Sequence, residues 1–165
     1  AQERLETAPE AGRAMVADAH KEAKAALAEI RDLVRGIHPV ILEDRGLDAA
    51  LSAVVARSPI PVDLHVDVAV RPPDAVESAA YFIVSEALVN VAQHSGASRA
   101  KVTIVRSGDT LVVEVADDGV GGADPTRGTG LAGLRQRVAG LDGRMHVISP
   151  TGGPTSIIVE LPCRS

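Results

Sequence analysis

Thr110-Leu111-Val112-Val113-Glu114-Val115-Ala116-Asp117-Asp118-Gly119-Val120-Gly121-Gly122 runs from an apolar strand straight into two carboxylates and a glycine-rich turn. Ser107-Gly108-Asp109 is a turn signal, and it separates this strand, at about 110–116, from another at about 100–106. Further upstream, Asp74 and Glu77 have capping-box spacing, with Asp as the cap, and open a helix that runs to about His94. Downstream, a glycine-rich loop over 117–130 precedes a helix from Leu131 to Leu141 and strands near 144–149 and 155–161. Strands and helices in this order favour an α+β two-layer sandwich over a repeated βαβ unit.

The residues before Asp74 carry two other patterns. Val62, Leu64, Val66 and Val68 alternate with Asp63, His65 and Asp67, which predicts a half-buried strand over 62–68. Ser58 to Pro61 is a breaker-rich linker, and a short helix from Leu47 to Arg57 presents Leu47, Ala50, Leu51, Val54 and Val55. From Ala11 to Ile37 the apolar residues recur at three-and-four spacing, the stripe of a long amphipathic helix that Gly36 and Pro39 end. Such a helix needs a partner to cover its stripe, so residues 1–45 read as part of a dimerising hairpin, with Leu5 in the stub of its first arm. Residues 46–61 are then a short helix and linker, and 62–165 the main domain.

Composition narrows the function. The chain has 165 residues, 45% of them apolar, enough for an ordinary core. Tyr81 and Phe82 are its only aromatic residues, and its formal charge is −5, so base stacking and a nonspecific grip on a nucleic-acid backbone are both disfavoured. No direct nucleic-acid partner is expected, although a nucleotide remains possible. Cys163 is alone, which excludes an intrachain disulfide or a cysteine-based zinc site and fits a reducing, cytoplasmic setting. No apolar run is read as a membrane span, and Glu3, Arg4 and Glu6 do not suit a signal peptide. The absence of an initiating Met suggests a processed chain or a fragment, and any membrane anchor is expected upstream of residue 1.

The chemistry concentrates in three places. Glu86, Asn90 and His94 are spaced four apart on the predicted helix, so they share one face beside the apolar side formed by Ala80, Ile83, Ala87 and Val91. The Asn90 amide can offer a neutral oxygen to Mg²⁺, and Glu86 can orient or deprotonate a reacting group. Asp117, at a strand end, can accept a hydrogen bond from an exocyclic amine such as that of adenine, and Gly119, Gly121 and Gly122 let the backbone approach a base or phosphate. Gly128-Thr129-Gly130-Leu131 then opens a helix, whose free amides suit phosphate oxygens. Each cluster alone also has a structural reading: a solvated helix face, a hairpin loop, a helix start.

Together and in this order, the residues resemble the ATP-binding domain of histidine kinases, in the superfamily shared with gyrase, heat-shock chaperone and mismatch-repair ATPases. Ser85 to His94 looks like the family's asparagine box, and Asp117 to Gly121 like its first glycine box, Asp-x-Gly-x-Gly. Gly128, Gly130, Leu131 and Gly133 look like the second glycine box, and Gly152-Gly153-Pro154-Thr155 like the closing Gly-Thr segment. The resemblance covers about residue 62 to the C-terminus. It implies ATP and Mg²⁺ as cofactors, with Asp117 on the adenine amine, Thr155 helping to seat the base, and Asn90 on Mg²⁺. It also places His94, Gly119 and Gly121 against the nucleotide, with Gly128, Thr129, Gly130, Leu131 and Gly133 around the phosphates under a mobile lid. Glu86, implied to be catalytic, stands where the superfamily's hydrolases carry a water-activating acid. Gln93 stands where many members have a basic residue, and Pro154 replaces a frequent Gly.

Residues 30–39, followed by Asp44-Arg45-Gly46-Leu47, resemble the region after the phosphoacceptor in the kinase subfamily that pairs with helix-turn-helix response regulators. The short loop between Gly121 and Gly128 agrees with that subfamily's small lid. The resemblance implies a homodimeric full-length kinase, a response-regulator partner and transfer of the ATP γ-phosphate to a histidine. In this subfamily the acceptor histidine is followed by an acid, and no histidine of this chain is. His20 precedes Lys21 and reads as an exposed bystander, while His38 reads as packing at a helix end. A nucleotide-dependent anti-sigma-factor type of binding protein, or a gyrase- or chaperone-like ATPase, is the competing reading.

Overall fold

Alternation along the strands dictates a sheet with one apolar face, and the computed structural model, which describes residues 40–124 and 130–164, builds that sheet. Its strands are β1 (Val62–Asp67), β2 (Ala100–Ser107), β3 (Thr110–Asp117), β4 (Arg144–Ile148) and β5 (Thr155–Pro162), in the order β1-β2-β3-β5-β4. Only β1 and β2 run parallel, and that pairing requires a crossover, which the helix between them supplies. The remaining neighbours are antiparallel, β2 and β3 being joined by the expected turn at Ser107–Thr110.

Three helices cover one face: α1 (Val40–Val55), α2 (Asp74–Asn90) and α3 (Gly130–Ala139). Val102 and Ile104 of β2, Leu111, Val113 and Val115 of β3, and Ile157, Val159 and Leu161 of β5 point into this layer and are buried. They meet Ile83, Val84 and Ala87 of α2 and Leu134 and Val138 of α3. With so few rings available, Tyr81 and Phe82 pack edge to face at 5.6 Å, and Arg137 of α3 sits 4.8 Å from the centre of the Phe82 ring, tying α3 to α2. Lys101, Asp63, His65 and Asp67 occupy the other, open face.

Several expectations need correction. The helix expected over Leu47 to Arg57 begins earlier, at Val40, ends at Val55, and is broken at Gly46, whose φ of 74° only glycine adopts freely. Leu42, Leu47, Ala50 and Leu51 from both halves join the core of the sheet domain. The capping box does not form: Pro73 occupies the cap position and no side chain caps α2. Glu77 is instead buried and bound to Arg71, a tertiary partner that spacing along one helix does not reveal. The helix also leaves α geometry at Asn90, and Val91–Ser95 forms one π turn closed by Gly96 at φ 61°.

Asp74–Ser95 is in fact long and apolar enough, at a mean hydropathy of 1.3, to meet the length and composition of a membrane span. Glu77, Ser78 and Glu86 interrupt the run and mask it in the sequence. Here its apolar side is taken up by the sheet. The long helix expected over 11–37, with Leu5, His20 and His38, lies outside the described residues, as do Gly128 and Thr129.

Candidate functional site

The register of β3 and β5 places Asp117 directly opposite Thr155. Both belong to the buried, helix-facing set of their strands, so a carboxylate and a hydroxyl stand side by side where the sheet ends. Asp117 Oδ1 accepts the Gly119 N–H at 2.8 Å, which closes a tight turn and orients the carboxylate. Its other oxygen has no hydrogen-bond partner among the described residues and remains available to a ligand donor.

The glycines are required by what surrounds them. A Cβ on Gly119 would collide with the Ser95 carbonyl oxygen and fall 2.7 Å from Ser95 Cβ. Gly121, at φ 62°, lies against the carbonyls of Pro150 and Gly153. The loop is fastened on both sides. The Val120 N–H donates to Ser95 O at 2.9 Å, the Gly152 N–H to Val120 O at 2.7 Å, and the Gly122 N–H to Ser149 O at 3.1 Å. Ser95 can offer its carbonyl because the π turn swings that residue inward, while its hydroxyl donates to Val91 O at 2.8 Å.

Asp118 has a different task from Asp117. Its carboxylate accepts the backbone N–H groups of Ser98 and Arg99, at 2.8 and 3.0 Å, and the Ser98 hydroxyl at 2.6 Å. The Ser98 hydroxyl bond, followed by the Arg99 amide, holds its pKa at about 2, below the ordinary 3.8. Asp118 therefore pins the entry of β2 to the end of β3. A cavity of about 390 Å³ opens at this junction, lined by Asp63, Lys101, Ala116, Asp117, Asp118 and Pro154 among others. Thr155 and Asn90 are not among its lining residues.

At the other end of the cleft, Gly130 begins α3 against the Glu86–Asn90 face of α2. A Cβ there would lie 3.1 Å from Glu86 Oε1 and 3.4 Å from Asn90 Oδ1. Asn90 Nδ2 is buried with no hydrogen-bond partner among the described residues. An amide with an unmet donor and a carbonyl oxygen beside a helix start fits a phosphate oxygen and a hard cation such as Mg²⁺. His94 lies beyond the α-helical span that carries Glu86 and Asn90, exposed on the π turn. Leu131 is half-buried, and Gly133 is exposed, with open space for 4 Å around the place a Cβ would take. Sequence reasoning missed Ser95 and Ser149. The parity of Met145, Val147 and Ser149 in the exposure pattern beside Thr155 was the available signal for the second.

A strand-end carboxylate, a hydroxyl beside it, two backbone-tight glycine turns and an acid–amide helix face at the start of another helix define a nucleotide-binding α+β domain. Residues 75–165 match the histidine kinase-, DNA gyrase B- and HSP90-like ATPase family, and the chain belongs to it. Within that family it corresponds to the ATP-binding catalytic region of sensor histidine kinases. It is 33% identical over 145 residues, 82% of its length, to the sensor histidine kinase NarS of Mycobacterium tuberculosis, of which the match spans 34%. It is 31% identical over 155 residues to the signal transduction histidine-protein kinase/phosphatase DegS of Brevibacillus brevis, covering 89% of this chain and 40% of that protein. Among solved structures, the histidine kinase domain of the Erythrobacter litoralis EL346 blue-light activated histidine kinase superposes with a TM-score of 0.56 at 29% identity, covering 72% of this chain and 62% of that one. The chain thus spans well under half the length of the curated relatives it matches.

Proposed function

We propose that this chain binds MgATP and delivers the γ-phosphate to a histidine outside residues 1–165, for relay to an aspartate of a response regulator. The pairing of Asp117 with Thr155 at one end of the cleft, and of Asn90 with Gly130 at the other, carries this reading. Asp117 Oδ2 receives the adenine amine, Thr155 seats the base, the close-packed backbone of Gly119 to Gly122 borders it, and amides at the α3 start line the path of the phosphates. Asn90 holds Mg²⁺ through its oxygen and a phosphate through its unmet N–H. When bound, the cation offsets phosphate charge and orients the terminal group.

In the transfer, the bond from the γ-phosphorus to the β–γ bridging oxygen breaks as the imidazole nitrogen bonds to phosphorus. Glu86, beside the α3 start, accepts the proton that the imidazole gives up. Catalysis is otherwise positioning and charge stabilisation. The full-length protein is a homodimeric, cytoplasmically disposed kinase, and its regulator has a helix-turn-helix output domain, a reading supported by the resemblance of residues 30–47.

Incubation with γ-labelled ATP, followed by acid or base, tests the reading. The 165-residue chain should take up no label. A longer protein that supplies an acid-flanked histidine upstream should take up label that survives base and is lost in acid. Acid-labile label on this chain that disappears in His20→Ala would overturn the assignment of His20 as a bystander.

A further inference from the structure

Ser149 follows β4 on the side occupied by Met145 and Val147, which pack against the core, and so reaches the base end of the cleft. Its Oγ accepts the Ala123 N–H at 2.9 Å and lies 2.8 Å from Thr155 Oγ1. A serine hydroxyl has one proton and two acceptor lone pairs. If Thr155 donated across the 2.8 Å contact, Ser149 would accept twice, and its own proton would need a third partner. Either direction leaves one hydroxyl proton without a protein acceptor among the described residues, but the Ala123 N–H polarises Ser149 Oγ and makes it the better donor of the two. If Ser149 donates, it accepts once and gives once, and Thr155 keeps its own proton for another acceptor.

We propose that Ser149 is a specificity-determining positioning residue of the base seat: its hydroxyl donates to Thr155, which commits Thr155 to donate toward the bound base. Beside Thr155 stands Asp117, whose carboxylate only accepts. A fixed acceptor next to a fixed donor matches the edge of adenine, which presents an amine donor beside the ring acceptor N1. Guanine presents the reverse, the acceptor O6 beside the donor N1–H, so both contacts become mismatched. Mismatched buried polar groups discriminate far more strongly than a missing apolar contact does. Ser149 also bonds Ala123, at the end of the glycine loop, so the direction of the Thr155 hydroxyl is tied to the placement of that loop.

This inference rests on Asp117 and Thr155 forming the base seat. The test is calorimetric titration of ATP and of GTP into the full chain, wild type, Ser149→Ala and Ser149→Thr, with thermal unfolding of each as a check on folding. In Ser149→Ala the Thr155 hydroxyl can turn to donate or accept, and the preference for ATP over GTP should fall about tenfold, the scale of one hydrogen bond. Ser149→Thr keeps a hydroxyl and should retain the preference. Equal weakening of ATP and GTP in Ser149→Ala, with their ratio unchanged, would make Ser149 merely structural and overturn the assignment. A wild-type chain without any preference for ATP would instead overturn the seat itself, and this assignment with it.

Discussion

Arg71 and Glu77 form an ion pair at 2.7 Å in which the carboxylate is 2% exposed, and the same guanidinium also binds the carbonyls of Leu42 and Glu43. The hydrogen bonds that Arg71 donates to Glu77 raise the Arg71 pKa. Arg71 thus caps the first half of α1 just before the break at Gly46 and fastens it to α2, the helix that carries Glu86 and Asn90. Favourable placement of a cation at a helix C-terminus adds to the capping.

Removing either partner should therefore cost stability, but unequally. Glu77→Gln keeps a neutral acceptor for Arg71 and should lower the unfolding free energy by about 1.5–3 kcal/mol, the range for a hydrogen bond to a charged group. Arg71→Leu should cost more, because it strands a buried carboxylate without its cation. Urea unfolding decides the order, and a neutral Arg71→Leu would contradict it.

Acid sensitivity should trace to Asp118. Its folded pKa, about 2, lies below the ordinary 3.8, so its contribution is complete above about pH 4. As pH falls from 4 toward 2, the unfolded chain takes up the proton first and the contribution shrinks, until it is lost below the folded value. Asp118→Ala should therefore lower the melting temperature at pH 6 and flatten its decline between pH 4 and pH 2. A mutant curve parallel to the wild type across that window would remove Asp118 as the source.

The glycines of the site should respond differently. Gly119→Ala and Gly121→Ala push a methyl into the carbonyls of Ser95 or of Pro150 and Gly153, and each should lose about 1–3 kcal/mol of stability along with nucleotide binding. Gly133→Ala meets nothing within 4 Å inside a helix and should be neutral or stabilising by about 0.5–1 kcal/mol. If Gly133→Ala keeps its stability but weakens ATP binding, Gly133 contacts the phosphates directly.

Asn90→Ala should damage Mg²⁺-dependent ATP binding far more than metal-free binding, because the lost amide oxygen serves the cation. Titrations with Mg²⁺ and with a chelator separate the two. Equal losses under both conditions would take Asn90 out of the metal shell.

The strands were readable because burial follows alternation: Leu64 and Val66 of β1 face inward where Asp63 and His65 do not. The strand-end position of Asp117 and the closeness of the glycine turns were legible for the same reason, since a strand running into Asp-x-Gly-x-Gly has few ways to continue. What the sequence concealed was tertiary. Arg71 reaches Leu42 from 29 positions away, and no helix periodicity records that contact. The π turn after Asn90 adds one residue to a turn without any composition cue, and it carries the exposed His94 and the buried Ser95 whose carbonyl holds the loop. Ser149 stood in plain view as a small polar residue, and only its bond to Thr155 gives it a role.

The central claim, that Asp117 and Thr155 hold the adenine of ATP, is tested most directly by titrating ATP into the wild-type chain and into Asp117→Asn. Aspartate has two acceptor oxygens, one for the Gly119 N–H and one for the adenine amine, whereas asparagine has a single acceptor for both. Wild-type binding weakened about tenfold or more in Asp117→Asn is the expected result. No ATP binding by the wild type, or equal affinity in the two proteins, would contradict it.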